Sequence, residues 1–118
     1  MADNFQSTKI IRLQPASDGV PYTFTFAACT SATANDGSIP YGSTISSAAV
    51  KAFDEAGDDK TAEIVSSSSS SDLVVTVYLD WPATTGAGRY SLEIVLTLSS
   101  GVVMEFDFTR LHAEDITA

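Results

Sequence analysis

The last third of the chain alternates apolar and polar residues with a period of two. From Tyr90 to Leu98 every second residue is apolar, and Ser, Glu, Val and Thr lie between. A second alternating run follows from Val102 to Thr109, after a Ser-Ser-Gly turn at 99–101. Because successive side chains of a strand point to opposite faces, this period predicts two half-buried strands. The short turn between them predicts an antiparallel hairpin.

Weaker patterns upstream predict five further strands, at 9–13, 22–26, 45–53, 62–65 and 73–79. A helix over 46–56 is disfavoured by the serines and β-branched residues of that segment and by the turn at Gly57. Residues 30–43 are predicted to form a long polar loop. The six consecutive serines at 66–71 have no apolar side chain to bury, so they predict a flexible loop.

Seven short strands separated by turns predict an all-β fold, a single antiparallel β-sandwich of about seven strands. A small barrel is the alternative. Trp81 follows a strand and precedes a proline, so it is expected to cover one end of the core. The domain is expected to span residues 9–111, between a polar N-terminal arm at 1–8 and a polar C-terminal tail at 112–118.

The charge balance is acidic, with 15 Asp and Glu against 6 Lys and Arg and a formal net charge of −9. Nucleic acids and anionic membranes require clustered cations, so neither is expected as a partner. One cysteine and one histidine are too few for Cys-ligated zinc or iron–sulfur sites, and no cofactor is expected. Neither a secretory signal nor a transmembrane run of roughly 20 apolar residues is visible, which predicts a soluble protein made in a cytoplasm.

The segment 54–59 carries four carboxylates in six residues, Asp-Glu-Ala-Gly-Asp-Asp. Calcium prefers oxygen ligands of this kind, so the loop is a candidate cation site. The spacing of an EF-hand is not met, because Ala56 holds the third position and no glutamate closes the loop. A solvated turn between two strands is the favoured interpretation.

Two further residues are candidates for chemistry. His112 could pair with Glu114 or Asp115 as a general base or pH switch, and an exposed tail histidine is the favoured alternative. Cys29 could act as a nucleophile, but no cation lies near it in sequence to stabilise a thiolate, which favours a structural cysteine. We therefore assign no catalytic, cofactor-binding or metal-ligating residue, and the chain is not expected to be an enzyme.

A family resemblance lies in the order of short segments over about residues 45–110. A Ser/Ala-rich strand (Ile-Ser-Ser-Ala-Ala-Val-Lys-Ala-Phe, 45–53) leads to the acidic Gly turn and then to Asp-Lys-Thr-Ala-Glu-Ile at 59–64. Leu-Val-Val-Thr-Val at 73–77 and Thr-Gly-Ala-Gly-Arg-Tyr at 85–90 follow, and Leu-Ser-Ser-Gly at 98–101 forms the hairpin turn. This order resembles small Ig-like virion proteins of tailed phages, of the fiber–tail adaptor type. The resemblance implies an Ig-like sandwich with a structural role and no catalytic residues.

The function expected from this resemblance is that of a structural virion protein of a tailed bacteriophage, an adaptor or connector that joins tail parts or tail fibers. Its expected partners are tail, fiber or capsid subunits, together with copies of itself in an oligomer or symmetric array. It is expected in the virion, after synthesis in the host cytoplasm. The alternatives are a capsid decoration (cement) protein and a carbohydrate-binding adhesion module that uses Trp81, Tyr41 and Tyr78.

Overall fold

A computed structural model describes residues 3–4 and 10–114, and within them the chain forms eight strands and one helical turn. The elements are β1 (Asp3–Asn4), β2 (Ile11–Leu13), β3 (Val20–Thr25), β4 (Ile45–Asp54), α1 (Thr61–Ile64), β5 (Val65–Ser71), β6 (Val74–Leu79), β7 (Gly88–Leu98) and β8 (Val103–Ala113). In this part of the chain no helix has the length and apolar character needed to cross a bilayer.

The strands form two sheets that pack as a sandwich. The larger sheet has the order β1-β8-β7-β4, with β2 also paired to β8, and the smaller sheet has the order β3-β6-β5. The expected antiparallel β-sandwich is therefore confirmed. The order β8-β7-β4 opposite β3-β6-β5 matches the two sheets of the immunoglobulin fold. Only β1 and β2 depart from antiparallel pairing among the described strands, since both run parallel to β8.

The predicted hairpin is β7 and β8, and it contributes nine of the 21 buried apolar residues of the core. In β7, the residues Tyr90, Leu92, Ile94, Leu96 and Leu98 are all at most 3% exposed. Two aromatic contacts join the sheets: the ring centroids of Phe24 and Phe108 lie 5.3 Å apart, and those of Phe26 and Phe106 lie 4.9 Å apart. These edge-on and tilted contacts are favourable geometries for aromatic rings, and they fix the two layers against each other.

The serine run is a strand, so the prediction of a flexible loop at 66–71 is wrong. It belongs to β5, which pairs antiparallel with β6 in a register that places Ser68 opposite Val77. The hydroxyl of Ser66 also donates to the carbonyl of Tyr78 at 3.1 Å. Backbone hydrogen bonds need no apolar side chain, and β5 is an edge strand whose serines are mostly exposed. Backbone pairing with β6, and not burial of the serine side chains, holds this strand in the sheet.

The strand predicted at 62–65 is also wrong, because Thr61–Ile64 forms a helical turn before β5 begins at Val65. The Asp59 carboxylate accepts the backbone N–H of Thr61 at 2.9 Å and holds the start of this turn. The turn places Ile64 in the core with no exposed surface. A pattern with a period of two describes strands only, so it could not predict a helical turn that buries the single residue Ile64.

The two ends of the chain differ from their predicted boundaries. The strand predicted at 9–13 is observed as β2, Ile11–Leu13, and Lys9 lies outside the described residues. At the other end β8 extends through Ala113, so His112 and Ala113 lie in the sheet although a tail was predicted from 112. The rest of the predicted arm and tail, apart from β1 and Glu114, lies outside the described residues.

The long polar loop before β4 is closed on itself. Ala28 and Ile39 form a parallel bridge, and the N–H of Cys29 donates to the carbonyl of Ile39 at 2.8 Å. Ile39 is completely buried, so the loop contributes to the core. Gly37 lies so close to the residues preceding Thr30 that a Cβ at this position would stand 2.5 Å from the carbonyl carbon of Ala28.

A carboxylate outside the core holds the turn after β6. The side chain of Glu63 accepts the backbone N–H groups of Thr84 and Thr85 at 3.0 and 2.9 Å, and the Thr85 hydroxyl at 2.7 Å. The hydrogen bonds from the backbone and hydroxyl of Thr85 hold the pKa of Glu63 below its ordinary value. The ionised form of Glu63 therefore stabilises the fold.

The lowered pKa of Glu63 predicts a loss of stability in acid. Above the pKa of about 4.3 that glutamate has in unfolded chains the stabilisation is complete, and it is lost as the pH falls through the lower folded pKa. We expect the urea midpoint of the wild type to exceed that of Glu63→Gln at about pH 6, because Gln keeps an acceptor oxygen without the charge. The difference should shrink as the pH approaches 3. A difference that does not change with pH would contradict this role of the charge.

Candidate interaction surface

The side of the larger sheet that points away from the small sheet is broad and carries most of the exposed charge of the hairpin. We call it the outer face. It consists of Ser47, Ala49, Lys51 and Phe53 from β4, Arg89, Ser91, Glu93, Val95 and Thr97 from β7, and Val103, Glu105, Asp107, Thr109 and His112 from β8. These are the outward positions that alternate with the buried residues of the same strands.

Three carboxylates meet near the middle of the outer face. Oxygens of Glu93, Glu105 and Asp107 all lie within 4.8 Å of one another. Glu93 is directly opposite Asp107 in the sheet, and Lys51 is opposite Glu93. These charged side chains therefore lie side by side on three neighbouring strands. Oxygen donors at this spacing are of the type that a hard divalent cation accepts.

Sequence reasoning missed this cluster, although the signal for it was available. Glu93 and Asp107 are far apart along the chain, and only the pairing of the hairpin brings them together. All three acids occupy outward positions of two strands that were predicted to pair. Laying those two strands against each other in register would have shown three acids on one side.

An open hollow of about 360 Å³ adjoins the carboxylates. Its lining combines the end of β4 and the acidic turn with the two hairpin strands: Phe53, Asp54, Glu55, Gly57, Ser91, Glu93, Asp107 and Thr109. The register of β7 and β8 is interrupted here, between Tyr90 and Leu92. A β-bulge bends and twists the strand that carries it, which shapes the sheet surface beside the hollow.

The acidic segment 54–59, the candidate calcium loop of the sequence, uses its carboxylates to fold the turn. One oxygen of Asp54 accepts the N–H groups of Ala56 and Asp58 at 3.0 and 2.9 Å. Asp59 accepts from Thr61, and hydrogen bonds from Thr61 hold the pKa of Asp59 below its ordinary value. The contacts fit the solvated turn, which was the favoured interpretation.

The contacts of Asp54 predict a structural effect of its substitution. We expect Asp54→Ala to lower the free energy of unfolding by about 1 kcal/mol, because two backbone N–H groups lose their acceptor. Asp54→Asn keeps the acceptor oxygen and should stay close to the wild type. Urea denaturation of the three proteins measures this. Equal destabilisation by Ala and Asn would show that the charge of Asp54, and not its hydrogen bonds, stabilises the turn.

His112 lies in β8, so the interpretation as an exposed tail histidine is wrong. Its side chain is 14% exposed, and Nδ1 lies 3.3 Å from an oxygen of Glu114. The other oxygen of Glu114 lies 3.1 Å from a guanidinium nitrogen of Arg12 on β2. The predicted pairing with Glu114 is present, and Asp115 lies outside the described residues. Glu114 joins the ends of β2 and β8 through these two contacts.

Cys29 and the three aromatic candidates are dispersed over the sandwich. The thiol of Cys29 is half-buried and lies 3.5 Å from the carbonyl of Gly37, as a structural cysteine would. Trp81 packs against the core, as expected. Tyr78 is half-buried on β6, whereas Tyr41 is 58% exposed at the edge of a second hollow of about 290 Å³.

No protein-family model matches this chain, and neither the curated proteins nor the solved structures contain a significant match to it. The sandwich assignment therefore rests on the strand order and the core of this chain alone. Among its surfaces, the outer face carries three carboxylates within 4.8 Å of one another.

Proposed function

We propose that this chain is a structural virion protein of a tailed bacteriophage, an adaptor that joins tail parts or tail fibers through protein–protein contacts. The observation that carries the proposal is the outer face, where three carboxylates within 4.8 Å of one another lie on a rigid sheet beside exposed apolar residues. The resemblance of residues 45–110 to fiber–tail adaptor proteins supports the same role.

The composition of the outer face suits a protein partner. Val103 is 63% exposed and lies next to Glu105, which is opposite the half-buried Val95 in the sheet. Val102, at the adjoining turn, is 48% exposed. Protein interfaces combine apolar contact with a polar, solvent-accessible rim, and complementary charge guides the encounter. The matching surface on a partner would present apolar side chains and Lys or Arg.

The edge strand β5 offers a second mode of attachment. It ends the small sheet and, among the described strands, forms a ladder on one side only, with β6. Addition of a strand from a partner at such an edge depends on main-chain hydrogen bonds and tolerates small polar side chains. A connector needs at least two contact regions, and the outer face and β5 belong to different sheets.

Mass spectrometry of purified particles from the source phage tests the proposal. A tail adaptor is expected at a dozen copies per particle or fewer, measured against the major capsid protein. Hundreds of copies would favour the decoration protein instead, and absence from the particles would overturn both structural roles.

A complementation assay separates the outer face from the rest of the surface. In phage that lack this gene, Glu105→Lys combined with Val103→Asp should restore far fewer infectious particles than the wild-type gene does. The matched control is Asp18→Lys, at an exposed position on another part of the molecule. Full complementation by the face variant would show that the outer face is not the docking surface.

The carbohydrate-binding alternative is favoured by a different observation, the exposed ring of Tyr41 at the edge of the second hollow. Sugars stack on exposed aromatic rings of this kind. A glycan array tests it, and a signal that Tyr41→Ala abolishes would favour an adhesion module. Tyr41→Ala is a cleaner variant than Trp81→Ala, because Trp81 packs against the core and its loss would disturb the fold.

A further inference from the structure

We propose that two copies of this chain dock through their outer faces, with Arg89 of each copy entering the acid-lined hollow of the other. The inference goes beyond the adaptor role and does not depend on it, because it concerns the purified protein in solution. It rests on where Arg89, a cation without an ion-pair partner among the described residues, and the carboxylates lie on one sheet face.

Arg89 is a cation of the outer face that has no carboxylate partner in the described part of the chain. It is exposed and lies opposite His112 at the start of β7. Arg12 and His112, in the same row across the sheet, both lie against Glu114. Arg89 forms no ion pair within the described residues, so its guanidinium is available to a group from another molecule.

The hollow lies farther along the same strand. Glu93 is four residues from Arg89, which corresponds to about 13 Å at the rise of a strand. Side chains that stand perpendicular to the sheet at this separation do not form an ion pair within one copy. The hollow of about 360 Å³ has room for a guanidinium group, and its Glu93 and Asp107 oxygens match the fork of arginine donors.

A single symmetry operation places both arginines at once. Consider a two-fold axis between the two faces, perpendicular to the strands, that passes over Ser91. Ser91 is midway between Arg89 and Glu93 on β7, so the rotation brings Arg89 of each copy over Glu93 of the other. A two-fold interface repeats each contact in this way. An axis parallel to the strands would instead place carboxylates over carboxylates.

The row of residues under this axis permits close approach. Ser91 is small, and Phe53 on β4 lies directly opposite it in the sheet. Phe53 is half-buried and, like Ser91, lines the hollow, so the hollows of the two copies face each other across this axis. The charged pairs on either side of the axis then provide the specific contacts.

The expected dimer is weak. With the axis over Ser91, the strands of the two copies overlap only along residues 88–94 of β7 and their neighbours. Strand spacing and rise give roughly 300 Å² per copy for this overlap, which is the size of a weak, transient contact. Each copy also carries a net charge of −9, which opposes association. Dimerisation is therefore expected at high micromolar protein concentration.

Sedimentation velocity over a concentration series, at low and high salt, tests the inference with five proteins. The wild type should dimerise, and Arg89→Glu and Glu93→Arg should each weaken the dimer about tenfold or more, because like charges then oppose each other twice. The double variant R89E/E93R restores both pairs and the original net charge, so it should dimerise like the wild type. Asp18→Arg is the matched control for Glu93→Arg and should not weaken the dimer.

Mixing the two single variants gives the most specific result. The glutamate introduced by R89E in one copy then faces the arginine introduced by E93R in the other, and the unchanged Arg89 and Glu93 face each other. A heterodimer should therefore form where neither variant dimerises alone. A wild type that stays monomeric at all concentrations at low salt overturns the inference. A dimer that neither single variant weakens, or that the double variant fails to restore, overturns it as well.

Discussion

Replacement of Gly37 by alanine is expected to lower the free energy of unfolding by about 3 kcal/mol. A Cβ at this position would lie 2.5 Å from the carbonyl carbon of Ala28 and 2.6 Å from the carbonyl oxygen of Ala27. All of these are backbone atoms, so the steric clash is relieved only if Gly37 and residues 27–29 move apart. That movement would strain the bridge between Ala28 and Ile39 and withdraw the buried Ile39 from the core.

Urea denaturation of Gly37→Ala against Gly88→Ala checks this prediction. A Cβ at Gly88 meets only the ring of Tyr90, at 3.7 Å or more, which is ordinary contact distance. Gly88→Ala should therefore be neutral or slightly stabilising, since alanine loses less backbone entropy on folding. Equal midpoints for the two variants would contradict the close approach of the loop segments at Gly37.

Replacement of Leu96 by alanine in the centre of β7 is expected to cost about 3 kcal/mol, within the range for leucine in a closed core. Leu96 has no exposed surface, and β7 lies between β4 and β8, so neighbours on both sides hold the cavity open. A loss of this size is a large part of the total stability of an ordinary domain.

Val95→Ala is the matched control, because Val95 is the preceding residue on the same strand and points to the outer face. It is half-buried, so the loss should stay below about 1 kcal/mol. Chemical denaturation followed by Trp81 fluorescence gives both values. A larger loss at Val95 than at Leu96 would mean that the two faces of β7 had been assigned the wrong way round.

The alternating pattern was sufficient to predict the hairpin, the sandwich class and most of the inward residues, although Val102, predicted on the inward face, is 48% exposed. The reason is physical: a strand that buries one face must place an apolar residue at every second position, and β7 does so from Tyr90 to Leu98. Trp81 was also predicted correctly, since its place after a strand and before a proline left it at the end of the core.

Other elements have causes that no local pattern contains. β5 forms because β6 provides backbone hydrogen-bond partners. The serine sequence by itself does not indicate that pairing. The turn at Thr61–Ile64 and the extension of β8 to Ala113 likewise depend on contacts made elsewhere in the fold. Prediction of the carboxylate cluster requires the register of β7 against β8. That register can be derived from the sequence only after the two strands are known to pair.

The parallel pairing of β2 with β8 affects how the molecule bears load. Ile11, Arg12 and Leu13 lie beside Leu111, His112 and Ala113, with both strands running in the same direction. A pull applied through the segment before β2 and the segment after β8 acts along both strands in opposite senses. The backbone hydrogen bonds between β2 and β8 are then all loaded in shear at the same time, so they do not break one after another. A domain with this arrangement resists tension applied through these two segments, which is a mechanical property that its acidic surface and its core do not reveal.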